Sequence, residues 1–216
     1  MLLAIYIRHY RCFEENNFKT HNYMTTQTIS KEVISFENKS FPEYLKKEAK
    51  LALSFYPELV DTPIEFRLTK KMSTSVMKAQ PKFLSLFKSR RQRQYVILIS
   101  RSFGIHNKEL NTSYIPVDVM VGWLGHELGH IMDYKNRSSL NLIVFGFKYV
   151  FSESFIKSAE QTADNFAVSH GMKHYILETK KFILNHTDLT PKYKEKIKRL
   201  YTSPEDVLDF VNQETI

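Results

Sequence analysis

Apolar and polar positions change their periodicity along the chain, and these changes predict both helices and strands. Ile64–Thr69 alternates apolar and polar side chains, which predicts a half-buried strand, and the unbroken apolar run Tyr95–Ser100 predicts a buried one. Helices are predicted for a short segment opened by Ser203 and for 41–56, 174–186 and 191–201. The pattern therefore predicts a mainly helical α+β fold with a small mixed or antiparallel sheet.

Two further helical patterns lie in the second half of the chain. In the first, Pro116 suits the opening turn, and the apolar stripe consists of Val117, Met120, Val121, Leu124, Leu128 and Ile131. In the second, Ser152 or Ser154 suits the cap, Gly171 suits the end, and the stripe consists of Phe155, Ile156, Ala159, Ala163, Phe166 and Ala167. Gly122, Gly125 and Gly129 share one face of the first helix, which predicts close packing against a neighbouring element.

Length and composition indicate one folded domain. With 216 residues, of which 43% are hydrophobic, the chain can bury one good core, which we assign to residues 41–216. Residues 1–40 are polar and mixed, and we expect an N-terminal extension that packs poorly over residues 1–23. The single cysteine, Cys12, excludes an internal disulfide and is typical of a reducing compartment, which predicts a cytoplasmic location.

The net charge of +8 narrows the class of partner only slightly. Its densest cluster is Lys88–Gln94, which we expect to be a solvated loop, with an anionic membrane surface as an alternative partner. No nucleic-acid-binding motif accompanies this cluster, so nucleic acid is not expected. The apolar stretch Leu140–Phe151 has 12 residues, whereas a membrane-spanning helix needs about 20. We expect a buried connection there, and a peripheral membrane contact stays open.

Residues His126–His130 read HELGH, an instance of the HExxH motif. Side chains four positions apart share one face of a helix, so both imidazoles can reach one zinc ion. Glu127 lies beside them and can act as general base on a water whose pKa the metal lowers from about 15.7 to about 7. Composition alone gives roughly a 2 in 100 chance of one such pentad, so the context of the motif matters.

Two histidines leave a zinc site one protein ligand short. A metzincin would place a glycine at Asp133 and the third ligand at Asn136, so that class is excluded. Glu160 and Asp164 are four residues apart beside the apolar stripe of the second helix, where carboxylates need partners. Glu160 would be the third ligand, and Asp164 would accept the free ring N–H of one ligand histidine.

A HELGH helix followed by Glu160-Gln-Thr-Ala-Asp164 resembles the gluzincin zinc metallopeptidases, and within them the CAAX prenyl protease and HtpX heat-shock protease family. A weaker likeness is Thr190–Leu200, which is similar to a basic segment of that catalytic domain, although Thr190 stands where the family has His. The likeness covers roughly residues 40–200. The integral-membrane members of that family have long transmembrane helices, and this sequence shows none, so it resembles a minimal soluble form of the family. The chain also resembles the phage-repressor-cleaving metallopeptidases, which have HExxH and a later acidic ligand.

The resemblance implies a zincin-like fold with His126, His130 and Glu160 as ligands of one Zn²⁺ per chain, Glu127 as base and Asp164 as a supporting carboxylate. It also implies that substrate adds a strand to a sheet edge, which we expect within residues 95–115, the loop Phe103–His106 included. A donor to the developing oxyanion remains open among seven residues: His106, His170, His174, Tyr175, Tyr193, Arg199 and Tyr201. Arg199 is singled out because it lies in the weaker likeness.

These observations predict a zinc-dependent metalloendopeptidase that acts on a peptide or protein substrate. Two alternatives stay open. One is a non-catalytic zinc-bound regulatory or interaction module of the same fold, and the other is a basic membrane-associating protein with an incidental pentad. Nothing in the sequence specifies the cleavage site of a substrate or the oligomeric state.

Overall fold

The computed structural model describes residues 35–70, 72, 75–105, 108–185, 195, 198–200 and 203–214. These residues belong to one compact unit. Of the predicted N-terminal extension, residues 1–34 lie outside the described residues. Lys39 and Ser40 form a strand of the main sheet, so the compact unit begins before residue 41.

Within the described residues, six strands form two sheets: β1 (Lys39–Ser40), β2 (Ile64–Thr69), β3 (Met77–Pro81), β4 (Tyr95–Ser100), β5 (Ser102–Ile105) and β6 (Lys108–Asn111). The main sheet has the order β1-β2-β4-β3, with β1 and β4 parallel to β2 and with β3 antiparallel to β4. Strands β5 and β6 form a separate antiparallel hairpin. The predicted strands β2 and β4 are confirmed, and β4 is buried between two neighbours, as its apolar run predicts.

The α-helices of the described residues are α1 (Lys46–Ser54), α2 (Val117–Asn136), α3 (Ser139–Phe151), α4 (Glu153–Ala167), α5 (Lys173–Asn185) and α6 (Pro204–Glu214). Together with the mixed sheet they make a mainly helical α+β fold, as predicted. Helix α4 is capped by Ser152, whose Oγ accepts a hydrogen bond from the Phe155 N–H. Gly171, with a φ of 85°, allows the turn between α4 and α5. Most of the predicted helix 191–201 lies outside the described residues.

Helix α2 is the centre of the fold. It packs against α1, α4, α5 and strand β3, and 15 of its 20 residues are buried. Its apolar stripe therefore does not face a single neighbour, because the helix is enclosed on most of its circumference. The HELGH pentad is part of this enclosed stretch.

Glycines on one face of α2 allow α4 and α5 to approach closely, as the sequence predicts. A Cβ atom on Gly129 would lie 2.3 Å from the backbone oxygen of Ala163 in α4, and one on Gly122 would lie 2.3 Å from that of Tyr175 in α5. Both distances are too short for a real contact. Because glycine has no side chain, Gly129 and Gly122 allow α4 and α5 to pack this close to α2.

The apolar stretch 140–151 differs from its prediction, because it forms helix α3 and is buried along one side only. Leu142 and Phe145 are buried, whereas the opposite face is exposed and includes Phe147 and Phe151. Leu140–Phe151 is apolar on both faces, so its composition could not show which face is covered. None of the helices in the described part of the chain is long and apolar enough to cross a membrane.

The basic cluster 88–94 is exposed as predicted, with the exception of Arg93. This side chain is 1% exposed and donates hydrogen bonds to the carbonyl oxygens of Tyr134 and Arg137 and to Ser139 Oγ. These groups lie at the end of α2 and the start of α3. Arg93 therefore satisfies terminal helix carbonyls, as cations near a helix C-terminus commonly do, and fixes the cluster against this junction.

We expect Gly129→Ala to destabilise the protein by at least about 2 kcal/mol, because the new methyl group forces α4 away from α2. The matched control is Gly146→Ala in α3, where a Cβ atom would meet nothing within 4 Å. That control should be neutral or should gain up to roughly 1 kcal/mol from helix propensity. Urea denaturation measures both variants, and equal stabilities would contradict the close-packing explanation.

Candidate metal centre

The pentad places its two histidines side by side on α2. The ring centroids of His126 and His130 lie 4.8 Å apart, with the ring planes at 86° to one another. Both residues are buried, at 9% and 5% exposure. The four-residue spacing therefore has the structural result that the motif predicts, with both rings on the same side of one helix.

Glu160 reaches the same point from helix α4. His126 Nε2 lies 3.0 Å from Glu160 Oε2, and His130 Nε2 lies 3.6 Å from Glu160 Oε1. Ligands at about 2.0–2.1 Å from a tetrahedral zinc ion lie about 3.4 Å from one another, so these separations fit such an ion. Ligand atoms of the three residues all lie within 4.8 Å of one another. Two imidazoles and a carboxylate are also a donor set that divalent zinc accepts.

Asp164, one turn after Glu160, holds the other nitrogen of His126. The His126 Nδ1–H donates to Asp164 Oδ1 over 2.9 Å, which directs Nε2 towards Glu160. Lys180 of α5 donates to the second carboxylate oxygen, Oδ2, over 2.7 Å. Burial raises the pKa of Asp164, but the charges and hydrogen bonds of Lys180 and His126 outweigh it and lower this pKa to about 2. Asp164 is therefore ionised throughout the neutral range.

Tyr149 of α3 contacts Glu160 directly. Its hydroxyl donates a hydrogen bond to Glu160 Oε1. Burial, the charge of Glu160 and this hydrogen bond raise the pKa of Tyr149, so the hydroxyl keeps its proton. Burial also raises the pKa of Glu160, but the charges and hydrogen bonds of His130 and His126 lower it further than burial raises it. Glu160 is therefore a carboxylate surrounded by donors.

Glu127 lies beside the cluster and is held by strand β3. Its Oε2 accepts a hydrogen bond from the Ala79 N–H over 2.5 Å, and its side chain is buried. Burial raises the pKa of Glu127, against the opposing charges of His130 and His126. The carboxyl group therefore holds a proton more readily than an ordinary glutamate, which suits a group that accepts and returns protons.

Two cavities meet at Glu127. The larger, of about 390 Å³, is lined by Glu127, His130 and Glu160 together with residues of β3 and α3. The smaller, of about 60 Å³, is lined by His126, Glu127 and apolar side chains that include Trp123 and Ile176. Glu127 therefore lines both spaces, and the volume of the larger one lies in the range of about 300–1,000 Å³ that is typical of ligand pockets.

The structure brings five of the predicted site residues together and leaves Arg199 apart from them. His126, Glu127, His130, Glu160 and Asp164 share one buried region, whereas Arg199 is exposed and pairs with Glu153 over 3.0 Å. Among the other predicted donors, His170 pairs with Glu58 and His174 pairs with Asp118, and Tyr175 packs against Phe55. His106, Tyr193 and Tyr201 lie outside the described residues.

Sequence reasoning missed Tyr149 and Lys180. Each had a detectable signal, because each carries a polar group within an apolar helix pattern. Tyr149 shares a face with Leu142 and Phe145, and Lys180 lies between Ile176 and Ile183. A polar group on a buried face needs a partner, and the carboxylates of α4 are the acceptors available there.

The sheet edge beside Glu127 is strand β3, which packs on α2. Within residues 95–115, where we expect the substrate edge, Tyr95–Ser100 is the interior strand β4, which lies between β2 and β3. Comparison with known proteins adds no relatives: no protein-family model, no curated protein and no solved structure matches this chain.

His126 carries the charge that balances the metal-free cluster. Burial lowers its pKa, but the hydrogen bonds and charges of Asp164 and Glu160 outweigh burial and raise it from 6.5 to about 10. At neutral pH the imidazole is therefore protonated, and Nε2, the nitrogen that faces Glu160, must lose its proton before a metal binds there.

We expect the affinity of the metal-free protein for added zinc to rise about tenfold per pH unit between about pH 7 and 9, because one His126 proton is displaced. The trend should level off near the pKa of about 10. Competition with a chelating dye at several pH values measures the slope. The His174→Ala variant lacks an exposed histidine outside the cluster and should keep the slope. An affinity independent of pH over this range would contradict the assignment.

Proposed function

We propose that this protein is a zinc metallopeptidase with a zincin-like fold. The observation that supports it best is the buried convergence of His126, His130 and Glu160 beside the carboxyl group of Glu127 at the floor of a cavity. The three residues supply the ligands of a catalytic zinc site and leave the cavity side open for water or substrate. The placement of sheet edge β3 along helix α2 supports the zincin-like architecture.

The division of chemical work follows from the contacts. Zinc held by these ligands would supply Lewis acidity, lowering the pKa of water to about 7 and polarising a peptide carbonyl. Glu127 takes the proton of the attacking water and transfers it to the leaving amine, so the same carboxyl group acts as base and then as acid. Its raised pKa helps the first step, because a carboxylate that holds a proton more readily is a stronger base towards the attacking water.

Asp164 and Lys180 position His126. Asp164 accepts a hydrogen bond from the His126 Nδ1–H, and the ammonium group of Lys180 balances the charge of Asp164. The imidazole is therefore held in one tautomer and one orientation. This arrangement keeps Nε2 directed at the metal position. Both residues line the smaller cavity and neither lines the larger one, so we assign both a positioning role.

Strand β3 offers a backbone edge for an extended substrate. Val76 O and Lys82 N bond to the β4 side, at Ser100 N and Gln94 O, which sets the alternation of hydrogen bonds along the strand. Ala79 is out of phase with those residues, and its N–H points away from β4 to Glu127. A peptide chain beside β3 would use the backbone groups on this free side, as in β-strand addition.

Tyr149 is our candidate donor to the developing oxyanion. It lines the larger cavity with Glu127 and His130, and its raised pKa keeps the hydroxyl proton available. Its hydrogen bond to Glu160 places that proton next to the metal ligands. Donors placed where charge develops in the transition state commonly contribute more to catalysis than to substrate binding.

Glu127→Gln should retain zinc and abolish peptide hydrolysis, because the amide cannot accept the water proton. We expect a fall of about 10²–10⁴-fold in kcat/KM. The measurement is digestion of a peptide library by the zinc-loaded protein with mass-spectrometric detection. The control is Glu153→Gln, which removes the same charge from an exposed residue and should leave hydrolysis unchanged. A zinc-loaded wild-type protein that cleaves no peptide would favour the non-catalytic zinc module instead.

Tyr149→Phe should lower kcat by about 10²–10³-fold with little change in KM, because the hydroxyl acts mainly in the transition state. The kinetics are measured at saturating zinc, so that altered metal affinity does not contribute. Tyr114→Phe removes the hydroxyl of an exposed tyrosine and is the matched control. An unchanged kcat in Tyr149→Phe would exclude Tyr149 as the donor.

A further inference from the structure

Helix α3 presents a continuous apolar face to solvent. The exposed side chains on this face, which we call the α3 face, are Leu140, Ile143, Val144, Phe147, Val150 and Phe151. Their spacing of three and four residues places them on one side of the helix, opposite the buried Leu142 and Phe145. Phe147 is 66% exposed and Phe151 is 80% exposed. An apolar area of this kind on a folded protein usually marks an interaction site.

A second exposed apolar group lies in the 3₁₀ turn Phe83–Phe87, which precedes strand β4. Phe83, Leu84 and Phe87 point outward, with the two phenyl rings 5.7 Å apart in an edge-to-face arrangement. The exposed cations Lys88, Arg90 and Arg91 follow directly. We call residues 83–91 the aromatic-basic surface. Aromatic side chains beside lysine and arginine are typical of proteins that insert into the interfacial region of a membrane.

The two surfaces lie on neighbouring parts of the fold. The buried side chain of Arg93 joins the end of the aromatic-basic segment to the α2–α3 junction through Tyr134, Arg137 and Ser139. The larger cavity is lined by Pro81 on the strand that leads into the 3₁₀ turn and by Val150 on the α3 face. The α3 face therefore borders this cavity through Val150, and the aromatic-basic surface begins two residues after Pro81 of the cavity wall.

Charge selects among the molecules that could cover these surfaces. Neither residues 81–94 nor residues 139–152 contain an Asp or a Glu, and Lys148 adds a cation to α3. Anionic lipid headgroups would complement Lys88, Arg90, Arg91 and Lys148, and the acyl region would receive the apolar side chains. A nucleic acid would complement the cations and would leave the aliphatic side chains of the α3 face uncovered.

We propose that the α3 face and the aromatic-basic surface together dock this protein onto an anionic phospholipid membrane as a peripheral protein. The helix lies in the plane of the interface with Phe147 and Phe151 inserted, while Arg90 and Arg91 contact the headgroups. Docking in this orientation places Val150, which lines the larger cavity, at the lipid surface. The inference does not depend on catalysis, because none of these side chains belongs to the metal centre.

The test is co-sedimentation of the full chain with vesicles, comparing phosphatidylcholine containing phosphatidylserine with phosphatidylcholine alone. We expect binding to the anionic vesicles and weakening by added salt, since salt screens the headgroup charge. Arg90→Gln combined with Arg91→Gln should lower the affinity roughly fivefold for each cation removed. Phe147→Ser combined with Phe151→Ser should lower it at least about tenfold, because the inserted apolar area is lost.

Tyr114→Ser is the matched control, because Tyr114 is 78% exposed and lies outside both surfaces. It should bind vesicles as the wild type does. Glu127→Gln should also bind normally, which separates docking from the proposed catalytic function. Thermal denaturation checks that each variant remains folded, and substitutions at side chains this exposed should change stability by less than about 0.5 kcal/mol.

Several outcomes would overturn the proposal. Wild-type protein that ignores anionic vesicles, or vesicle binding that survives the Phe147 and Phe151 substitutions, excludes membrane docking through the α3 face. A concentration-dependent dimer that these substitutions abolish would identify a second copy of the chain as the occupant. Salt-dependent binding of single-stranded RNA through Arg90 and Arg91, without vesicle binding, would assign the cations to nucleic acid.

Discussion

The structure depends on the burial of two carboxylates, Glu160 and Asp164, against helix α2. They are 1% and 2% exposed, and a buried ionised carboxylate without partners costs several kcal/mol. The partners of these two carboxylates come from three other helices. His126 of α2 serves both, Tyr149 of α3 serves Glu160, and Lys180 of α5 serves Asp164. Helices α2, α3, α4 and α5 are therefore held in register by polar contacts as well as by apolar packing.

Close approach of the helices makes these contacts geometrically available. Each interior glycine costs a helix about 1 kcal/mol relative to alanine, so the three glycines of α2 weaken it as an isolated helix. In return, Gly129 lets the Ala163 backbone come close to α2, and Ala163 immediately precedes Asp164. The Gly122 contact does the same for α5, which carries Lys180. The glycines that lower the helix propensity of α2 are thus the residues that allow Asp164 and Lys180 to reach the histidines.

The sequence could predict those parts of the fold and site that depend on periodicity and on spacing within a helix. Strands β2 and β4, helices α2 and α4, the pairing of His126 with His130, and the face shared by Glu160 and Asp164 all follow from such patterns. Strand β3 was missed because Met77–Pro81 is short and contains no β-branched or aromatic residue. Helix α3 was misassigned as a buried connection because apolar residues on both sides hide which face is covered. Arg93 was missed because its burial is decided by acceptors distant in sequence, the carbonyl oxygens of Tyr134 and Arg137.

The charges of the buried cluster also explain why Glu127 differs from its neighbours. Protonated His126 and Lys180 balance ionised Glu160 and Asp164, so these four groups together carry no net charge in the metal-free protein. Glu127 lies outside this balance. Its described hydrogen bond comes from a neutral donor, the Ala79 N–H, and burial raises its pKa. We infer that the fold fixes the charge of Glu160 and Asp164, the two carboxylates that would hold or brace a metal. Glu127 remains able to gain and lose a proton, which is the property that proton transfer requires.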